Sequence, residues 1–281
     1  MRLSVVIPAH TYPPVLKLTI GSLIRSLPPE YDLNIHVGIH SNYSDYTRDF
    51  SIFEELRGLA QVHLVREIDW KLNNECVYRY STMHATSLEN LLDHVRYYDF
   101  DYLLVLDHDI FSKADFVSEC LKLHPGADLI GALFDDLDVL SRFRTEAGRD
   151  LYCLPKISIW HLLVSRRLFE EIARTPRMIY PRIVEGEEIG SYLGCYGNPE
   201  PLPVFVDTFA EVLHRCKFSK SGEFKVGILP SEKLGAWTRH FYGSSFNYGH
   251  RTLGSHYPDH IREIAGIYEK EFPNGLSRLP N

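Results

Sequence analysis

Residues 3–39 read LSVVIPAHTYPPVLKLTIGSLIRSLPPEYDLNIHVGI, and the class of fold turns on how this stretch is parsed. LSVVIPA is a compact run rich in β-branched side chains, as in a strand buried on both faces. From Val15 the spacing changes: Val15, Leu16, Ile20, Leu23, Ile24 and Leu27 recur at helical intervals until Pro28-Pro29 stop the pattern. LNIHVGI (33–39) then returns to strand.

The same alternation continues along the chain. Ser44 is placed to cap a helix running to about Leu59, VHLVREI (62–68) forms a third strand, and Leu88, Leu91, Leu92 and Val95 line one side of a helix from Thr82. YLLVL (102–106) is the fourth strand, with a helix over 114–123 behind it. Strands alternating with helices of about 10–15 residues predict an α/β fold, a mostly parallel, Rossmann-like sheet flanked by helices. The second half is less regular. ADLIGALF (127–134), KISIWHLLV (156–164) and KVGILP (225–230) read as strands, and Ser165 caps the helix SRRLFEEIAR. VFVDTFAEVLHRCKF passes from strand to helix near Asp207, and a last helix is expected near 258–271. No repeat or linker interrupts residues 1–281, which predicts a single domain.

A net charge of −7 excludes a general nucleic-acid binder. Cys76, Cys120, Cys153, Cys195 and Cys216 are odd in number and contain no C-x-x-C pair, so reduced thiols and a cytoplasmic setting are expected. No run reaches the roughly 20 apolar residues of a membrane span, so any membrane contact is expected to be peripheral.

In such sheets ligands sit beyond the carboxyl ends of the strands. Pro8-Ala9-His10, His40-Ser41-Asn42 and Asp107-His108-Asp109 all fall there. Three Asp-x-Asp triplets occur, at 99–101, 107–109 and 136–138, but only the middle one directly follows an apolar strand. Mg²⁺ and Mn²⁺ take oxygen ligands and commonly use one or two carboxylates while substrate phosphates complete the shell. Asp107 and Asp109 therefore suit a metal that neutralises a departing diphosphate.

SVVIPAHTYPPVLKLTIGSL (4–23), followed about 100 residues later by YLLVLDHDI, resembles the nucleotide-binding half of a GT-A glycosyltransferase, nearest to family 2. The resemblance covers roughly residues 3–135 and continues more loosely through WHLLVSRRLFEEI, FVDTFAEVLHRC and TRHFYGSS. It implies a nucleotide-sugar-binding half over 1–135 and an acceptor-binding half over 136–281. It implies transfer of a sugar from a UDP- or GDP-linked donor to a glycan, lipid-linked or small-molecule acceptor, with Mn²⁺ or Mg²⁺.

Carried over by position, Pro8, Ala9, His10, Ser41, Asp107 and His108 would meet the nucleotide. Asp107, Asp109 and His240 would hold the metal, and the imidazole favours Mn²⁺ over Mg²⁺. An inverting transfer needs a general base. Asp207 matches the family's position for it, with Glu211 and Glu187 in reserve, while the competing role for Asp207 is a helix N-cap. Trp160 and His161 lie where acceptor contacts are built, and Arg142, Arg144, Lys71 and Arg79 are basic residues that would suit a diphosphate. The acidic pair that the family carries after its second strand is replaced by His40-Ser41-Asn42-Tyr43-Ser44-Asp45, which leaves GDP- and dTDP-sugars open beside uridine. A retaining transferase of the same fold and a non-catalytic sugar- or protein-binding relative are the alternatives. A sugar nucleotidyltransferase would need a glycine-rich loop where PAHTYPP stands, and a dehydrogenase would need G-x-G-x-x-G.

Overall fold

The computed structural model describes residues 1–9, 13–40, 54, 56–65, 79–133, 136–145, 148–158, 161–175, 178–197, 200–218, 223–241 and 257–276. In chain order the elements are β1 (Arg2–Ala9), α1 (Pro13–Ser26), β2 (Asp32–His40), β3 (Gln61–Val65), α2 (Arg79–Val95), β4 (Tyr102–Leu106), β5 (Ile110–Ser112), α3 (Phe116–Leu123) and β6 (Leu129–Ala132). They continue with β7 (Ser141–Arg144), β8 (Asp150–Cys153), β9 (His161–Ser165), α4 (Arg166–Arg174), β10 (Arg182–Val184), α5 (Ile189–Cys195), β11 (Val204–Val206) and α6 (Ala210–Phe218). β12 (Val226–Leu229), α7 (Ser231–Trp237), β13 (Thr238–His240) and α8 (Tyr257–Glu271) complete the series.

Seven strands form the main sheet in the order β12-β6-β9-β4-β1-β2-β3. β1 pairs in parallel with β2 and β4, β2 with β3, and β6 with β12. Alternate residues of these strands feed two cores, as a two-residue side-chain period requires. Val5, Ile7, Val37, Leu104 and Leu106 join Leu16, Ile20 and Leu23 of α1 on one face. Val6, Leu103 and Val105 join Leu88, Leu91 and Phe169 on the other. Each such side chain, fully buried, contributes about 1.5–3 kcal/mol. α1 also approaches the C-terminal segment closely: a β-carbon on Gly21 would lie 2.6 Å from Leu276 and 2.7 Å from Phe272.

The expected strand over 156–164 differs in place and direction. β9 spans His161–Ser165 and runs antiparallel between β4 and β6, while Ile157 makes a separate bridge to Leu133. The reason is topological: the chain leaves β6 for a second sheet, ordered β10-β11-β8-β7, and re-enters the main sheet at its carboxyl edge. Ser165 accepts from the Leu168 amide and caps α4 as its sequence predicts. The short strands β5 and β13 pair antiparallel with each other, and His240 stands opposite Ile110.

Candidate metal centre

The apolar strand β4 ends at Leu106, so Asp107 and Asp109 emerge at the carboxyl edge of the sheet. The turn that carries them is held from two sides. His108 Nδ1 donates to the Pro8 carbonyl at 3.1 Å, tying the turn to the end of β1. Thr19 on α1 donates to the His108 carbonyl at 2.7 Å, and its oxygen accepts from the Ile110 amide at 3.1 Å.

His240 arrives on β13, and the Phe241 amide donates to the Asp109 carbonyl at 2.9 Å. His240 Nε2 then lies 2.9 Å from Asp109 Oδ1. Asp107, Asp109 and His240 each bring one ligand atom to within 4.8 Å of the others. Among the described residues no other group of three histidine, cysteine or acidic side chains meets that condition.

A residue not singled out in the sequence joins this cluster: His84 of α2 places Nε2 3.3 Å from Asp107 Oδ1. Burial pushes the Asp107 pKa upward. The hydrogen bond and charge of His84, backed by His108 and His240, outweigh burial and hold it below the usual carboxylate range. A buried and a half-buried carboxylate with imidazole neighbours fit a divalent cation: two oxygens and one nitrogen suit Mn²⁺, and coordination positions remain for a diphosphate.

The other predicted residues fall into separate places. Pro8 and Ala9 are buried at the end of β1. His10, Ser41, Trp160 and Lys71 lie outside the described residues, as does most of the helix expected from Ser44. The side chain of Arg79 likewise lies outside the description.

Asp207 sits at the carboxyl end of β11, where Lys156 donates to Oδ2 at 2.5 Å and the Thr208 amide to Oδ1 at 2.8 Å. That second bond reaches only the next residue, short of the N2 or N3 amide that an N-cap serves. Phe209, two residues on, is the one non-glycine residue with positive φ among those described, at 62°. The Ser158 amide donates to the Ala132 carbonyl at 2.5 Å, which carries the Lys156 segment to the carboxyl end of β6. β6 is two strands from β4, so at about 4.8 Å per strand Asp207's partner segment reaches the main sheet about 10 Å from the Asp107 strand end.

Glu211 points elsewhere. It accepts from Arg182 at 3.1 Å, Tyr192 at 2.8 Å and Arg215 at 2.8 Å. Burial raises its pKa, but Arg215, Tyr192 and Arg182 more than offset that and hold it below the usual carboxylate range. A carboxylate so engaged anchors α6 against β10 and α5. Glu187 is exposed in a one-turn helix. Arg142 is paired with Glu200 and Asp150, and Arg144 donates to the Gly148 carbonyl. The outer Asp-x-Asp triplets are taken up in surface contacts, Asp99 and Asp101 with Arg2, and Asp138 with Lys217.

No protein-family model matches the chain, and no curated protein matches it. Among solved structures it is similar to the galactosyltransferase LgtC in complex with donor and acceptor sugar analogues. That match has 13% identity, covers 94% of this chain and 95% of that one, and has a TM-score of 0.45. It is also similar to the mannosyltransferase PcManGT from Pyrobaculum calidifontis in complex with GDP-Man and Mn²⁺, at 14% identity, 97% and 88% coverage, and a TM-score of 0.40. Mouse xyloside xylosyltransferase 1 matches at 14% identity, 81% and 84% coverage, and the same score. Likeness this distant assigns no activity to the chain, so what the site does is argued from its own residues.

Proposed function

We propose that the chain is a metal-dependent glycosyltransferase of the GT-A fold, moving a sugar from a nucleoside-diphosphate donor to an acceptor hydroxyl. The supporting observation is the convergence of Asp107, Asp109 and His240, from sequence positions far apart, at the carboxyl edge of the sheet. Two carboxylates from the end of β4 and an imidazole from β13, with ligand atoms within 4.8 Å of one another, make the arrangement that a divalent cation needs. This argues against the non-catalytic alternative.

Asp107, Asp109 and His240 would hold a divalent cation, Mn²⁺ first and Mg²⁺ second. When bound, it would supply positive charge to the diphosphate leaving group. Thr19 and His108 keep the turn in one shape, so the carboxylates need little rearrangement on binding. Pro8 and Ala9, buried at the end of β1, would back the nucleotide, with His10 and Ser41 as further contacts read from the sequence. Asp207 is the base of the inverting reading: its Oδ2 takes the acceptor proton once Lys156 swings away from it. Glu211 is left out of this scheme because its oxygens are already occupied. The donor is UDP- or GDP-linked, and the acceptor is a glycan, a lipid-linked sugar or a small molecule. Among the described residues no helix is long and apolar enough to cross a membrane.

The test is thermal unfolding against UDP, GDP, dTDP and CDP, each with and without Mn²⁺. A ligand at about 100 times its Kd adds about 2.7 kcal/mol, a shift of about 5–10 °C for a chain of this size. One nucleotide giving a Mn²⁺-dependent shift is expected and names the donor base. No shift with any of the four overturns the proposal.

A further inference from the structure

His161 opens β9 directly opposite Leu106, the residue before Asp107. Its side chain is 2% exposed and meets the ring of Phe116 edge-on at 5.3 Å. Among the described residues neither ring nitrogen has a hydrogen-bond partner. A neutral imidazole carries one N–H donor and one lone-pair acceptor, and leaving a buried group of this kind unmatched costs about 1–3 kcal/mol. Such orphans are uncommon and point to a water or an ion. At 2% exposure the side chain offers a sugar ring almost no surface.

We propose that His161 is a positioning residue of the metal centre, its unprotonated ring nitrogen accepting a hydrogen bond from a water bound to the cation. The inference rests on the metal reading above. A cation-bound water directs its lone pairs at the metal and presents only O–H donors, so its partner must be an acceptor. A neutral imidazole supplies that acceptor, whereas a cationic one would offer only donors and repel the metal. At 2% exposure, with no acid on either nitrogen among the described residues, the uncharged ring is the form that burial favours. Three protein ligands leave positions open on a cation that usually takes six, so a water beside the diphosphate oxygens is expected there.

The experiment is Mn²⁺ titration by calorimetry, with no nucleotide, of the native protein, His161→Leu, His161→Gln and Asp109→Asn. Outer partners of metal ligands typically contribute 10–100-fold in affinity. His161→Leu should therefore weaken Mn²⁺ by about 10–100-fold while melting at or above the native temperature without metal, because leucine removes the orphaned nitrogens. His161→Gln, which keeps an amide acceptor, should recover part of the loss. A folded His161→Leu protein with native Mn²⁺ affinity would show an ordinary core histidine and overturn the inference, leaving the metal site standing. Native protein that fails to bind Mn²⁺ would overturn both. Should the variants not fold, the native protein still decides. Mg²⁺ should move the ring ¹⁵N resonance of His161, and no movement would sink the assignment.

Discussion

Glu211 and Asp109 are buried to nearly the same degree, 5% and 4% exposed, yet their neighbours differ in kind. Glu211 touches two guanidiniums and a phenol, and guanidiniums stay charged at every physiological pH. Asp109 touches the imidazole of His240 and shares its corner with a second carboxylate, which itself leans on the imidazole of His84. Imidazoles carry full charge only when protonated. One centre is thus an acid among guanidiniums, and the other joins two acids and imidazoles at a point where ligand atoms converge. Burial of an acid is therefore a poor sign of function by itself. What separates an anchor from a candidate binding site is the kind of neighbour: fixed cations around Glu211, convergent ligand atoms around Asp109.

The largest effect that tests this contrast comes from the complete centre. Glu211→Gln should lower stability by about 3 kcal/mol, since a buried carboxylate loses its charge-assisted hydrogen bonds to two half-exposed guanidiniums. In urea unfolding the midpoint should fall, while the Mn²⁺ response of the remaining folded protein stays native. A lost Mn²⁺ response would mean that the two centres are one.

A third cluster, imidazoles gathered around the buried His36, sharpens the comparison. His36 Nδ1 lies 3.2 Å from His63 Nε2, the His63 ring stacks on His94 at 4.1 Å, and Tyr98 meets His36 edge-on at 4.8 Å. Burial first, then His63 and His94, lower the His36 pKa from 6.5 to about 4. The folded state therefore binds this proton less readily than the unfolded chain. The stability is present in full above about pH 6.5, is lost as pH falls toward about 4, and falls no further from this group below that. The gap corresponds to about 3 kcal/mol at its fullest. Denaturant midpoints measured from pH 7.5 to 4 should show this acid limb, and His36→Phe should flatten it. An unchanged slope in the variant would remove His36 as the source.

Asp109→Asn should act in the opposite sense to Glu211→Gln. Without metal its stability should stay within about 1 kcal/mol of native, the range of a mild substitution, because it relieves a crowded pair of carboxylates. With Mn²⁺ and nucleotide it should lose the whole shift of about 5–10 °C. A variant that unfolds without metal would place Asp109 with the anchors.

The smallest effects belong to the outer triplets. Asp99→Asn and Asp136→Asn remove solvent-exposed groups and should change stability by no more than about 0.5 kcal/mol, with the Mn²⁺ response untouched in calorimetry. A weakened response from either would mean that the wrong triplet had been assigned.

Much of the frame was legible because it is written in local periodicity. β1, α1, β2, β4 and α4 follow from runs of apolar residues and from the cap at Ser165, each decided within a few residues. The direction of β9 was not, because it depends on where the chain returns after the second sheet, and no local pattern records that. The metal site divides the same way. Asp107 and Asp109 are marked by the strand they follow, whereas His240 was indicated only by family resemblance. His84 was read simply as part of a helical pattern. Its one local signal is a histidine within the first two turns of a helix, which says nothing about an acid on another strand. Glu211 looked like a base because α6 places it one turn beyond Asp207, and only the packing of Arg182 and Arg215 reveals its employment.

The pairing of β13 with β5 also has a consequence for synthesis. Asp109 and His240 are separated by 131 positions, so the metal centre cannot close until most of the chain has left the ribosome. At roughly 5–20 residues per second, the nascent protein carries its two aspartates for about 7–26 s before the histidine follows. During that interval β1, β2 and β4 can already pair, with the turn clasped by Thr19. Competence for the cation thus follows the pairing of the central strands, and a translation product stopped short of His240 would keep much of the sheet while lacking the third ligand.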